Sequence, residues 1–326
     1  MPDARDGVDA AVTPLDGGVV LLDTRFDGRS KTVGVYLVPH AHADGRAGRF
    51  DLVEAGPAIT FEGVLAAIRE AGFAPEGLDT LLVTHVHLDH AGAAGAFAAR
   101  FGCRVVAHAR GAPHLADPGR LLASARRVYG DALEARWGGM EPVPSERLVS
   151  VDDGDHLELG GRSVRVHATP GHARHHAAFA WPDGSLFVGD AAGVRLPGSD
   201  VIRPALPPPE VDLEAWDETL AALAATRPSR LLLTHYGEVA GALDHLAEVG
   251  RRNRVWADTV LASLRAGADE RSIALELDRL ATAELEAAGA DADTVARHLV
   301  TSDAAMTTSG LVRYWTTQHP ERLALS

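Results

Sequence analysis

The stretch Thr84-His85-Val86-His87-Leu88-Asp89-His90-Ala91-Gly92 follows directly on the apolar run Thr80-Leu81-Leu82-Val83. Such a run reads as a buried strand. The chain ends it by crowding three histidines and an aspartate into six positions. Side chains alternate along extended backbone, so His85 and His87 project to the same side. Residues from Ala91 to Phe97 read as a helix, so the chain turns at Asp89 and His90. Four metal-type ligands are thereby aimed into a small volume from a strand end and the loop after it. Imidazole with carboxylate suits zinc, and also iron or manganese. Helix capping accounts for Asp89 but leaves three histidines without a role, and the spacing H-x-H-x-D-H is specific.

Periodicity extends this picture along the chain. Strands are expected at Gly18–Leu22, Val33–Val38, Phe50–Ala55, Thr80–Thr84 and Arg104–Ala107. Helices are expected at Phe61–Ala71 and Ala93–Arg100, both apolar at helical spacing, and across 111–142. A second strand series is expected at Arg147–Val151, His156–Leu159, Ser163–Ala168, Ala177–Trp181 and Ser185–Val188. Asp153-Gly154 and Gly160-Gly161 are its hairpin turns. After the proline-rich loop PALPPPEVD come a helix near Leu213–Ala225, a strand at Arg230–Leu233 and a helix at Val239–Val249. From about residue 250 the pattern is helical, as at Val255–Arg265 and Ser272–Ala287. Periodicity leaves open whether the two strand series are halves packed face to face.

With 326 residues and 46% hydrophobic content, the chain can bury a full core. Its formal net charge of −14 argues against nucleic acid or an anionic membrane as main partner. No apolar run reaches the ~18 residues a membrane span needs. The polar, acidic start MPDARDGVDA does not read as a secretory signal. The single cysteine, Cys103, excludes an internal disulfide framework, and a cytoplasmic setting is expected.

The motif His85-x-His87-x-Asp89-His90 resembles the signature of the metallo-β-lactamase-fold superfamily, and the rest of that family's pattern follows in order. Thr169-Pro170-Gly171-His172 comes after one predicted strand. Gly189-Asp190 comes after Leu186-Phe187-Val188, and His235 follows Leu231-Leu232-Leu233-Thr234. The resemblance covers about residues 15–250. It implies an α/β fold, a four-layer αββα sandwich of two mixed sheets, as a catalytic domain over 1–250. A helical extension occupies 251–326, like that of hydroxyacylglutathione hydrolases (glyoxalase II).

By the same resemblance His85, His87 and His172 hold one divalent metal ion and Asp89, His90 and His235 a second. Asp190 bridges the pair, with zinc the leading metal and iron or manganese the others. The implied chemistry is hydrolysis of a small-molecule acyl substrate, a thioester, lactone or similar ester, by a metal-bridging hydroxide, with Asp89 passing a proton to the leaving group. A persulfide dioxygenase, which uses a single iron, and a non-catalytic metal-binding protein are the alternatives. A homo-oligomer remains open.

Other residues carry weaker expectations. Tyr236 is a candidate to polarise a substrate carbonyl, although a position next to His235 on a strand end favours packing. His175 and His176 are expected to support ligands, not to be ligands. His108 is expected to pack a loop, and His40 and His42 to lie in a solvated one. Cys103 is expected to be a buried small hydrophobe. Arg195 and Arg203 are candidates for reading a substrate carboxylate, with ordinary salt bridges the alternative. Glu54-Ala55-Gly56-Pro57 stands where many members of that family carry Asp-Thr-Gly.

Overall fold

A computed structural model describes residues 11–40 and 48–324. The expectations for MPDARDGVDA and for His42 fall outside these residues. The first sheet holds β1 (Val12–Pro14), β2 (Val20–Asp23), β3 (Gly34–Pro39), β4 (Phe50–Val53), β5 (Leu78–Leu82), β6 (Arg104–His108) and β7 (Leu148–Val151), in that spatial order. Its β1–β4 pairings are antiparallel and its β4–β7 pairings parallel. Parallel pairing needs crossovers, and these are helical. They are α1 (Phe61–Glu70), then α2 (Leu88–Ala91) with α3 (Ala94–Phe101), then α4 (Ala112–Ala116), α5 (Gly119–Tyr129) and α6 (Ala132–Trp137).

The second sheet runs in the order β13 (Gly237–Val239), β12 (Arg230–Leu233), β11 (Ser185–Phe187), β10 (Ala177–Ala180), β9 (Arg162–Ala168), β8 (His156–Leu159). All its pairings are antiparallel except β11–β12. The remaining helices are α7 (Leu213–Ala225), α8 (Ala242–Arg265), α9 (Glu270–Ala287), α10 (Ala292–Thr301), α11 (Ala304–Arg313) and α12 (Pro320–Leu323).

One expectation is corrected. The strand near Arg147–Val151 closes the first sheet beside β6 and does not begin the second. Its neighbour in sequence is a hairpin, but the α4–α6 crossover has already returned the chain to the first sheet's edge. The short strands β1 and β13 were not expected, because three residues carry no alternation to read.

Three apolar clusters stack the layers. One packs α1 and α3 on the outer face of the first sheet through Val64, Ile68 and Phe97. One fills the space between the sheets through Leu21, Tyr36, Val166, Phe179, Phe187 and Leu232. The third packs the second sheet under α7, α8, α9 and α11 through Trp216, Trp256, Leu277 and Leu311. This is the four-layer sandwich, with further helices continuing its outer layer. Helix α8 runs unbroken through residue 250, and Leu246 and Trp256 lie in one core cluster on either side of it. Asp212, Asp269, Asp291 and Asp303 cap α7, α9, α10 and α11 by accepting backbone N–H bonds. Each such cap satisfies an N–H that the helix's first turn leaves without a partner.

Cys103 is buried as expected, which pushes its thiol up to about 12. Among the described residues no helix is long and apolar enough to cross a membrane.

Candidate metal centre

The ends of β5, β9, β11 and β12 open at one edge of the sandwich, and each delivers ligands there. Two glycines make the approach possible. Gly171 holds φ +135°, and a Cβ on it would lie 2.4 Å from Trp216 Cβ. Gly189 holds φ +46°, and a Cβ there would lie 2.4 Å from Thr84 Oγ1. The glycines of T-P-G-H and G-D are thus fixed by backbone conformation and by close packing around the ligands.

The side chains converge in two groups. His85 Nε2 lies 2.9 Å from His87 Nδ1, and His172 Nε2 lies 3.2 Å and 2.9 Å from those two atoms. A tetrahedral ion with its usual bond lengths would set such nitrogens roughly 3.3 Å apart. In the second group His235 Nε2 is 3.4 Å from Asp89 Oδ2, and His90 Nε2 is 3.7 Å from the same oxygen. Asp190 faces both groups. Its Oδ1 is 3.2 Å from His90 Nε2 and 3.4 Å from His235 Nε2, while its Oδ2 is 3.4 Å from His172 Nε2.

The outer partners fix which ring nitrogen carries a proton. His172 Nδ1 donates to the Ala205 carbonyl and His235 Nδ1 to the Thr32 carbonyl, each at 2.7 Å. His90 Nδ1 donates to Glu54 Oε1 at 2.9 Å. Thr84 Oγ1 donates to Glu54 Oε1, which leaves its oxygen to accept from His85 Nδ1 at 3.1 Å. In these four rings, when neutral, the Nε2 lone pair therefore points inward, while His87 faces its group with Nδ1.

Inward-facing acceptors without a donor repel one another, and His90 Nε2 and Asp190 Oδ1 are buried with no hydrogen-bond partner. Burial holds the His85, His87 and His172 imidazoles below their usual range. Burial acts the same way on His90 and His235, but Asp190 and Asp89 outweigh it and raise both. Burial alone would raise the carboxyls of Asp190 and Asp89, yet the facing histidines hold both below their usual range. The cluster calls for positive charge at its centre, and the donors fit divalent metal ions.

Around the ligands, Glu54 is a hub. It is fully buried at φ +72° and accepts from Thr84 N, Thr84 Oγ1, Thr234 Oγ1 and His90 Nδ1. The motif E-A-G-P marks the position but not this role, which joins residues 180 apart in sequence. His176 accepts from Asp190 N at 3.2 Å and bonds Thr169 Oγ1, so it orients the ligand loop without facing the centre. His175 is nearly buried and stacks against His85.

Tyr236, the candidate carbonyl polariser, is not brought to this centre. Its side chain packs between the sheets and lines a separate cavity with Lys31 and Asp200. Arg195 pairs with Asp200 beside that second cavity. Arg203 is fully buried over the Trp256 ring. Neither lines the cavity above the metal centre. His108 packs at the end of β6 as expected, while His40 is nearly buried against Asp51 and does not lie in a solvated loop.

Above the ligands lies a cavity of about 240 Å³ whose floor is His87, Asp89, His172, Asp190 and His235. Its walls come from the Phe26–Val33 segment, from α5–α6, from Pro204–Pro209 and from the α10–α11 junction. The helices after residue 250 therefore help to enclose the site.

The metallo-beta-lactamase superfamily profile matches residues 45–235. A metallo-beta-lactamase fold-containing protein of Sulfurisphaera tokodaii is 30% identical over 57% of this chain and 72% of its own. A hydroxyacylglutathione hydrolase of Rhodopseudomonas palustris is 31% identical over 48% of this chain, which spans under half of that enzyme's length (46%). A metallo-beta-lactamase family protein of Thermus thermophilus shares the fold over 94% of this chain and 92% of its own, at TM-score 0.65 and 22% identity. With the fold and the ligand set in hand, these matches define the class: the chain belongs to the metallo-beta-lactamase superfamily. It is a metal-dependent hydrolase.

Proposed function

We propose that the chain hydrolyses small acyl compounds, thioesters, lactones or related esters, at a centre of two divalent metal ions, with zinc the best match to its imidazole-rich donors. His85, His87 and His172 would hold one ion and Asp89, His90 and His235 the other. The observation that carries this reading is Asp190, whose two carboxylate oxygens face opposite groups of ligands. Ions held there supply Lewis acidity to an acyl carbonyl and lower the pKa of water toward ~7.

The chain's own residues do the rest. Glu54, Thr84, Thr32 and Ala205 lock the rings, so little reorganisation is needed on binding. Asp89 lines the cavity beside His235 and would relay a proton to the leaving group. The walls restrict water around the substrate. The resemblance to hydroxyacylglutathione hydrolases supports an acyl substrate, though not glutathione itself.

The test is elemental analysis of the purified protein beside a hydrolysis screen of thioesters, lactones and phosphodiesters. Two ions per chain and turnover of an acyl class are expected. A single iron per chain, with oxygen uptake on glutathione persulfide and no hydrolysis, would overturn the proposal.

A further inference from the structure

We infer that the substrate's acyl group is an unbranched apolar chain of medium length, laid along α5 and closed over by the α10–α11 junction. This deepens the proposed acyl hydrolysis and rests on it for the position of the reacting carbonyl.

The argument starts from α5. Leu121, Ser124, Ala125 and Val128 stand at the i, i+3, i+4, i+7 spacing of one helical face, and all four line the cavity above the ligands. An amphipathic helix normally buries that face fully, yet Leu121 and Ala125 only partly bury against the core and Val128 is 48% exposed. Leu206, Val300 and Met306 line the same cavity from the Pro204–Pro209 segment and the α10–α11 junction. Phe26 and Trp137, stacked at 4.7 Å, line it as well. Two of the charged groups on the walls satisfy each other, since Arg136 pairs with Asp27 at 3.6 Å. A third, Asp303, is spent capping α11 through the Met306 N–H.

What remains is a largely apolar slot that begins at the metal ligands, with Arg29 on its Phe26–Val33 wall. The face from Leu121 to Val128 spans ~10 Å at the helix rise of ~1.5 Å per residue. An extended octanoyl chain meets that length. A butanoyl chain leaves the α5 face uncovered, and a chain ending in a carboxylate would carry its charge among the apolar residues of α5 and the α10–α11 junction, a cost that Arg29 on the Phe26–Val33 wall would have to offset.

The experiment uses the zinc-loaded full chain with 4-nitrophenyl butanoate, octanoate and the octanedioate half-ester. Calorimetric binding of butanoate and octanoate provides a readout that needs no turnover. We expect kcat/KM at least tenfold higher for the octanoate than the butanoate, the half-ester to lose that advantage, and octanoate to bind at least tenfold more tightly than butanoate. In Ala125→Asp and Val128→Asp, on a helix with no buried residue, both ratios should fall toward one. Equal binding of the two acids, or a preference for the half-ester, would overturn the inference even if every ester is cleaved. Tighter octanoate binding that both variants abolish, without cleavage of any ester, would uphold the slot and remove the hydrolytic reading. Ratios unchanged in both variants would remove α5 as the wall.

Discussion

The floor of the cavity and its walls are built by opposite means. On the floor nearly every ligand ring is buried and held through its second nitrogen, and one carboxylate, Glu54, ties Thr84, Thr234 and His90 together. On the walls α5 buries no residue, and Val128 stays half-exposed. The difference teaches where change is costly. Removing one member of a buried polar network strands its partners at about 1–3 kcal/mol each. Exchanging an exposed wall residue typically stays within about 0.5 kcal/mol. Chemistry therefore sits in the rigid part of the molecule, and substrate choice in the part that can vary at little cost to the fold.

The contrast can be broken or sharpened by substitution. The largest effect is expected for His172→Ala, which removes a ligand and frees the Ala205 carbonyl. Loss of about 4 kcal/mol of charge stabilisation would lower kcat/KM ~10³-fold. A variant retaining a tenth of the activity would mean that His172 is not a ligand. Glu54→Gln keeps the shape but weakens the hub. Metal affinity should drop ~10–100-fold in competition with a chelator, and an unchanged affinity would show that the floor is not held from behind.

Ser302→Ala removes the bond from Ser302 Oγ to the Pro204 carbonyl, next to the Ala205 that orients His172. The expected loss is about 1 kcal/mol of stability, with KM changing more than kcat. A larger fall in kcat than in KM would move this contact from wall to floor. Smallest is Val128→Ser, whose melting temperature should stay within ~2 °C of the parent. A drop of ten degrees would show that α5 is integral to the core.

How much of this was legible in the sequence follows the same division. Six of the seven ligands carry their signal locally, as H-x-H-x-D-H, T-P-G-H and G-D at strand ends, and His235 is marked by the apolar run before it, because strong ligands and obligatory glycines leave little freedom of residue type. The β-strands of four or more residues were legible for the same reason, since burial imposes alternation or apolar runs. Strand β7 stands in the second series along the sequence yet pairs with β6 in the first sheet, because pairing over a long crossover leaves no local trace. Glu54 as a hub, the closure by α10–α11 and the inward packing of Tyr236 depend on contacts between segments distant in sequence. Helix α5 was expected as a helix, but which of its faces meets the cavity depends on the placement of the whole crossover.

The central claim is that Asp190 joins two ligand groups into one centre. Metal content per chain, measured by elemental analysis on the parent and on Asp190→Ala purified in parallel, tests it most directly. The account predicts two ions in the parent, no more than one in the variant, and no hydrolysis by the variant. Two ions retained in Asp190→Ala would contradict it.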